Sequence, residues 1–211
     1  MSLGKLNFCS WNIHGYYSRD IGNKLKDKDF LLAIHKTDFI SISETHIYDE
    51  INDSLNIPGY QRLRFKNQKK NPKSQTAPGG IAVFVKPTLF NFFTVVDMEE
   101  KDVIWIKLKK EFSGMSKDIF IANCYFNPAS TGNDLVLSKL SENISFFKSK
   151  GRVIINGDLN AKTGNLEDTI SPDKYDENLD ISISTPPPSR NSQDISVNAR
   201  GTEMLEMCKT Y

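Results

Sequence analysis

Two residues one position apart could do chemistry in this chain. Asp158 and Asn160 follow the run Val153-Ile154-Ile155-Asn156-Gly157. Three β-branched apolar residues in a row read as a strand buried on both faces. Residues two apart in an extended segment share a face. A carboxylate and an amide therefore stand side by side where a rigid strand gives way to a loop that a substrate can reach. Alone, Gly-Asp-Leu-Asn also reads as a strand end closed by turn formers. Three more polar groups close apolar strands elsewhere: Asn12 after residues 5–11, Glu44 after Phe39 to Ser43, and Tyr125 after residues 118–124. The set holds carboxylates, amides and a phenol, with no Ser or Cys nucleophile beside a base. It suits a hard, oxygen-seeking cation such as Mg²⁺ together with donors for phosphate oxygens.

The elements that must position these groups follow from periodicity. Leu31 and Ile34, flanked by Leu25 and Phe30, predict a helix over residues 24–36. Strands are expected at 60–65, after Pro58-Gly59, and at 81–85, after Gly79-Gly80, with two more at 92–96 and 103–108. Their spacing suggests antiparallel strands joined by short loops. In the last of them Val103, Trp105 and Lys107 oppose Ile104, Ile106 and Leu108. Asp134 is placed to cap a helix running to about residue 149, whose face Leu137, Leu140, Ile144 and Phe147 lies on the sheet. Residues 165–197, rich in Asp, Asn and Ser, read as a long surface loop. A final helix near Asn198 groups Gly201, Leu205 and Cys208, with Met204 beside them.

At 211 residues the chain is expected to form a single domain, residues 1–211, with a sizeable core. Its formal net charge of +1 gives no global argument for nucleic acid, so any such argument must be local. The run from Lys66 to Lys73 holds four lysines, Lys66, Lys69, Lys70 and Lys73, and no acid. Such a run is either a solvated loop tip or a contact for phosphate. There is no apolar signal core and no apolar run long enough to cross a bilayer. Three cysteines without a C-x-x-C pair suggest buried free thiols in a reducing compartment. Three scattered histidines give no zinc signature.

The motifs Trp11-Asn12-Ile13-His14-Gly15, Ser43-Glu44-Thr45-His46, Gly79-Gly80-Ile81, Asn123-Cys124-Tyr125-Phe126-Asn127-Pro128 and Gly157-Asp158-Leu159-Asn160-Ala161-Lys162-Thr163-Gly164 occur in this order. The chain thereby resembles the endonuclease/exonuclease/phosphatase superfamily. Within it, Ser-Glu-Thr-His, Asp-Leu-Asn-Ala-Lys-Thr-Gly and the stretch Arg190 to Gly201 are most similar to the endonuclease domain of non-LTR retrotransposons. The resemblance implies a four-layer α-β-β-α sandwich of two mixed sheets with outer helices. It implies that Glu44 holds a divalent cation, Mg²⁺ or Mn²⁺, with Asn12 beside it. Tyr125 would donate to the scissile phosphate, Asp158 would align and deprotonate the attacking water, and Asn160 would fix the phosphate. His46 would face DNA, and Lys69, Lys70 and Lys73 of the basic run are candidates for substrate binding on their charge. An intracellular, nuclear setting and a C-terminal reverse transcriptase partner are implied as well.

Members of that superfamily continue with further strands, an aspartate and a Ser-Asp-His motif, whereas no histidine follows His46 here. On this resemblance the chain is expected to lack the C-terminal strands, to be weak or inactive as a nuclease, and to tend to aggregate. The alternatives are a phosphomonoesterase or lipid phosphodiesterase of the same superfamily, or a non-catalytic DNA-binding remnant.

Overall fold

The computed structural model describes residues 5–47, 55–66, 79–128, 135–168 and 192–211. The chain divides into two compact units, Met1–Ser130 with Glu142–Leu159, and Thr131–Ser141 with Asn160–Tyr211.

The first unit is built on two four-stranded sheets. One has β1 (Phe8–Asn12), β4 (Phe39–Ser43), β6 (Ile81–Val85) and β5 (Gln61–Lys66), in that order. The other has β10 (Arg152–Asp158), β9 (Ile119–Tyr125), β8 (Val103–Leu108) and β7 (Phe93–Val96). A small hairpin pairs β2 (Tyr17–Ser18) with β3 (Gly22–Asn23). Each large sheet is mixed: β1 runs parallel to β4 and β10 parallel to β9, and the remaining pairs are antiparallel. The chain crosses from β6 to β7 through a 3-10 segment, Pro87–Phe92, so these neighbours in sequence belong to different sheets.

Side-chain alternation sorts the core into layers. Phe39, Ile81, Val83 and Val85 from one sheet meet Ile104, Ile106, Leu108, Ile119 and Ile121 from the other. The opposite face of the first sheet, Ile40, Ile42, Ala82 and Phe84, packs under Phe30 and Ile34 of α1 (Lys28–Ile34). On the outer face of the second sheet, Trp105 and Phe120 meet Phe147 of α3 (Leu135–Lys148), with ring centroids 4.4 and 4.6 Å apart. Helix, sheet, sheet and helix make the α/β sandwich expected from the sequence. A short α2 (Lys110–Ser113) lies between β8 and β9, and α4 (Ala199–Thr210) belongs to the second unit.

Several sequence expectations need correcting. Residues 24–36 do not form one helix. A 3-10 turn at Lys24–Lys26 ends at Asp27, whose extended backbone and carboxylate restart the chain as α1 by accepting from the N–H groups of Asp29 and Phe30. The strand before Asp158 is not buried on both faces. β10 pairs only with β9 and sits at the sheet edge among the described residues, leaving Ile154 40% exposed. The strand runs through Gly157 to Asp158. The buried stripe of α4 passes through Arg200, Gly201, Leu205 and Met207, so Cys208 is exposed rather than buried. Asp134 lies outside the described residues, as does most of the 165–197 stretch.

In the second unit, a bridge between Thr163 and Val197 and the side chain of Asn198 hold the ends together. Asn198 Oδ1 accepts from the N–H groups of Lys162 and Gly201, capping α4.

Candidate active site

Two parallel strand pairs deliver polar residues to the same end of the sandwich. Asn12, the last residue of β1, is in register with Ser43, the last of β4, and Glu44 follows at once. Tyr125, the last residue of β9, is in register with Asp158, the last of β10. The four side chains connect. Asn12 Nδ2 donates to Glu44 Oε1 at 2.8 Å and to Asp158 Oδ2 at 2.9 Å. Tyr125 OH donates to Glu44 Oε1 at 3.0 Å. Asn12 Oδ1 accepts from the His14 N–H at 3.0 Å. That last bond fixes the amide's orientation: the carboxylates can only accept and the backbone N–H can only donate. The amide thus bridges two carboxylates that would otherwise repel.

Local backbone structure holds this rim. Residues 44–46 are gripped on two sides. The N–H groups of Ile13, Gly15 and Tyr16 donate to the carbonyls of Ser43, Glu44 and Thr45, while those of Thr45 and His46 donate to Gly80 and Gly79. Gly80 has φ +95°, and Thr45 Oγ1 occupies the place a Cβ would take. Gly157 has φ +125° and lies against the Cys124 backbone, leaving no room for a Cβ. Only glycine lets β10 lie that close to β9 one residue before Asp158.

The environment sets the ionisation. Burial works against the charge on Glu44, but hydrogen bonds from Asn12, His14 and Tyr125 outweigh it and hold the carboxyl below its ordinary range. Burial, then the neighbouring charge of Glu44, raises the Tyr125 phenol well above its ordinary value, so it stays a neutral donor. Burial lowers His46 and favours the uncharged imidazole.

The sequence-predicted residues fall into groups. Asn12, Glu44, Tyr125 and Asp158 are brought together. Asn160 belongs to the second unit, with φ +48° and a carbonyl accepting from Asn198 Nδ2. His46 turns its Nε2 toward Glu44 Oε2 at 3.7 Å. Lys69, Lys70 and Lys73 lie outside the described residues. Lys66, the first of that basic run, is not a free surface charge: its Nζ donates to the carbonyls of Met98, Glu100 and Val103. His14 was missed. Its Nδ1 lies 2.9 Å from Glu44 Oε2. The available signal was its spacing, two residues after Asn12.

Among the described residues, no three His, Cys, Asp or Glu side chains already form a cage for a metal ion. The donor set nonetheless fits one. Glu44 Oε1 and Asp158 Oδ2 meet at a single amide nitrogen, and hard carboxylate oxygens are ligands that divalent cations of the Mg²⁺ type take.

The fold and the rim define an α/β sandwich protein with an acidic site at the carboxyl ends of its parallel strands. Residues 9–172 match the sequence profile of the Endonuclease/Exonuclease/phosphatase family, and the chain belongs to that family. Among solved structures, the AP endonuclease LMAP from Leishmania major superposes with a TM-score of 0.51 at 19% identity, over 75% of this chain and 56% of that one. An AP endonuclease from Archaeoglobus fulgidus gives 0.48 at 18% identity, over 81% and 63%. A 3′ phosphatase from Neisseria, bound to product DNA hairpin, gives 0.49 at 15%, over 76% and 60%. The Leishmania likeness supports the fold. The chain spans less than two thirds of each of these proteins. A comparison with curated protein sequences returned no match. Among the described residues no helix is long and apolar enough to cross a membrane.

Proposed function

We propose that the rim is a metal-assisted phosphodiesterase site of endonuclease type acting on DNA. The observation that carries this reading is the Asn12 amide bridging Glu44 and Asp158. Phosphodiester hydrolysis needs a positioned water, a base for its proton, and positive charge or donors for the phosphoryl oxygens. Asp158, held on one oxygen by Asn12, would orient the water and accept its proton. Glu44 and Asn12 would hold a divalent cation, Mg²⁺ or Mn²⁺, which when bound supplies charge neutralisation on the phosphoryl oxygens. Tyr125, kept neutral, donates to Glu44 at rest and shares that proton with a phosphoryl oxygen when substrate arrives. Asn160, His46 and the lysines Lys69, Lys70 and Lys73 would contact the nucleic acid. The non-LTR retrotransposon subtype, with its reverse transcriptase partner and nuclear setting, is supported by Ser43-Glu44-Thr45-His46 and by residues 158–164.

The test offers supercoiled plasmid and an inositol phosphate to the same preparation with Mg²⁺ or Mn²⁺, alongside Asp158→Asn and Glu44→Gln. The expected result is slow plasmid nicking that both substitutions abolish, with the inositol phosphate untouched. Nicking that survives both substitutions, or turnover of the inositol phosphate alone, would overturn the DNA reading.

A further inference from the structure

We infer that Lys66 is a positioning residue for Tyr125: its ammonium fixes the loop that holds the Tyr125 backbone, and so aims the phenol at the rim. Its effect on the reaction rests on the role given to Tyr125 above, whereas the grip itself is read in the free protein, so the two can fail separately.

A basic run suggests lysines that reach out to phosphate. Lys66 points elsewhere. It closes β5, at the edge of the first sheet among the described residues, and it is half-buried. Its Nζ donates to the carbonyls of Met98 at 2.8 Å, Glu100 at 2.7 Å and Val103 at 3.1 Å. An ammonium has three N–H donors and no acceptor. All three are used within one short segment, and none remains for a phosphate oxygen. Burial, with the like charge of Arg64 adding to it, pulls the Lys66 pKa below its ordinary value.

The gripped segment, residues 97–102 with Val103, joins β7 to β8 in the second sheet. Its other holds are slighter. Arg64 pairs with Asp97 at 3.0 Å, but both side chains are exposed and such pairs contribute little. Asn143 Nδ2 donates to Glu100 Oε1 at 3.1 Å.

The far end of the segment meets the rim. The Asp102 carbonyl accepts from the Tyr125 N–H at 2.9 Å. This bond carries the β8–β9 ladder one step past the Val103–Cys124 pair and holds the last residue of β9 from the β8 side. β10 holds it from the other side, where Asp158 is in register with Tyr125. Tyr125 OH then crosses from the second sheet to Glu44 of the first. Lys66 crosses the opposite way, from the first sheet to a loop of the second. Asp102 lies between two of the gripped residues, Glu100 and Val103, so its carbonyl moves when theirs do. Without the ammonium the three carbonyls lose their donor and must turn to water. A shift of about 1 Å in a positioned group can cost about 10²-fold in rate.

The experiment compares the full chain with Lys66→Met, Tyr125→Phe and the double variant. Methionine keeps an unbranched apolar stem and removes the donors. Amide hydrogen exchange is read in the free protein. Single-turnover plasmid nicking, and oligonucleotide binding over a salt series, are read with Mg²⁺ or Mn²⁺. In Lys66→Met the Tyr125 amide should exchange faster by about tenfold or more relative to that of Ile121, deeper in the same strand. Nicking should slow by about 10–10²-fold. Oligonucleotide affinity and its salt dependence should not change. The double variant should nick no more slowly than Tyr125→Phe alone, because Lys66 acts through that residue. An unchanged Tyr125 amide, or losses that multiply in the double variant, would overturn the inference. Weaker binding with a shallower salt dependence would overturn it too, and would make Lys66 a phosphate contact. Should Lys66→Met fail to fold, the ¹⁵N-labelled parent decides: the Lys66 ammonium signal should stay unshifted when oligonucleotide is added, and a shift there refutes the grip. A parent that nicks nothing sinks the nuclease reading, and the Tyr125 amide alone then judges the grip.

Discussion

Replacing Asn12 with alanine removes an amide that joins the two carboxylates. It deletes the bonds from Nδ2 to Glu44 at 2.8 Å and to Asp158 at 2.9 Å, and the acceptor for the His14 N–H at 3.0 Å. Hydrogen bonds to charged groups contribute roughly 1.5–3 kcal/mol each and a neutral one about 1 kcal/mol. The rim is partly open to water, which recaptures some of this, so the lower end applies to each bond. The expected loss is about 3 kcal/mol. For a chain of this size that corresponds to a melting temperature lower by about 6–12 °C. The assay is thermal unfolding by circular dichroism in EDTA at neutral pH. The gap should narrow in acid, where protonated carboxyls neither repel nor accept as strongly. A gap below about 2 °C in EDTA, or one that widens in acid, would refute the claim that the amide holds the rim together.

Other outcomes follow from the same packing. Gly157→Ala forces a Cβ against the Cys124 backbone at φ +125° and should cost about 2–4 kcal/mol; an unchanged denaturation midpoint would contradict the close approach of β10 to β9. Phe147→Ala empties a site 2% exposed against Trp105 and Phe120 and should cost about 3–5 kcal/mol by urea denaturation. Glu44 has its folded pKa lowered, so its contribution to stability is present above the unfolded-state value of about 4.3 and is lost as pH falls through the folded value. The parent should therefore lead Glu44→Gln in thermal stability at neutral pH, with the lead shrinking below about pH 4; a constant lead would contradict this.

Much of the layered fold was legible because alternation is a direct imprint of a sheet with two different faces. Ile104, Ile106 and Leu108 face the other sheet while Trp105 faces Phe147, as the pattern required. What alternation cannot encode is lateral position. Val153-Ile154-Ile155 looks like an interior strand, yet Ile154 is 40% exposed, since among the described residues β10 has one neighbour. The break at Asp27 was hidden because a single capping carboxylate overrides a helical pattern that continues across it. In the rim, Asn12, Glu44, Tyr125 and Asp158 were legible as polar ends of apolar strands. Their mutual contacts were not, since these depend on two parallel pairings, β1 with β4 and β9 with β10, that bring residues distant in sequence into register. His14 is weakly marked in the sequence: its spacing from Asn12 is its one cue, and its partner Glu44 lies thirty residues away. Lys66 shows the converse: a lysine in a basic run is spent on three backbone carbonyls.

In the proposed function Asp158, held by Asn12 at the rim it shares with Glu44, drives hydrolysis of a phosphodiester bond. Single-turnover cleavage of a supercoiled circle, with protein in excess and Mg²⁺ or Mn²⁺ present, measures it most directly. The expected outcome is metal-dependent cleavage by the parent and a rate lower by about 10²–10⁴-fold in Asp158→Asn. Equal rates in the two proteins, or no cleavage by the parent, would contradict it.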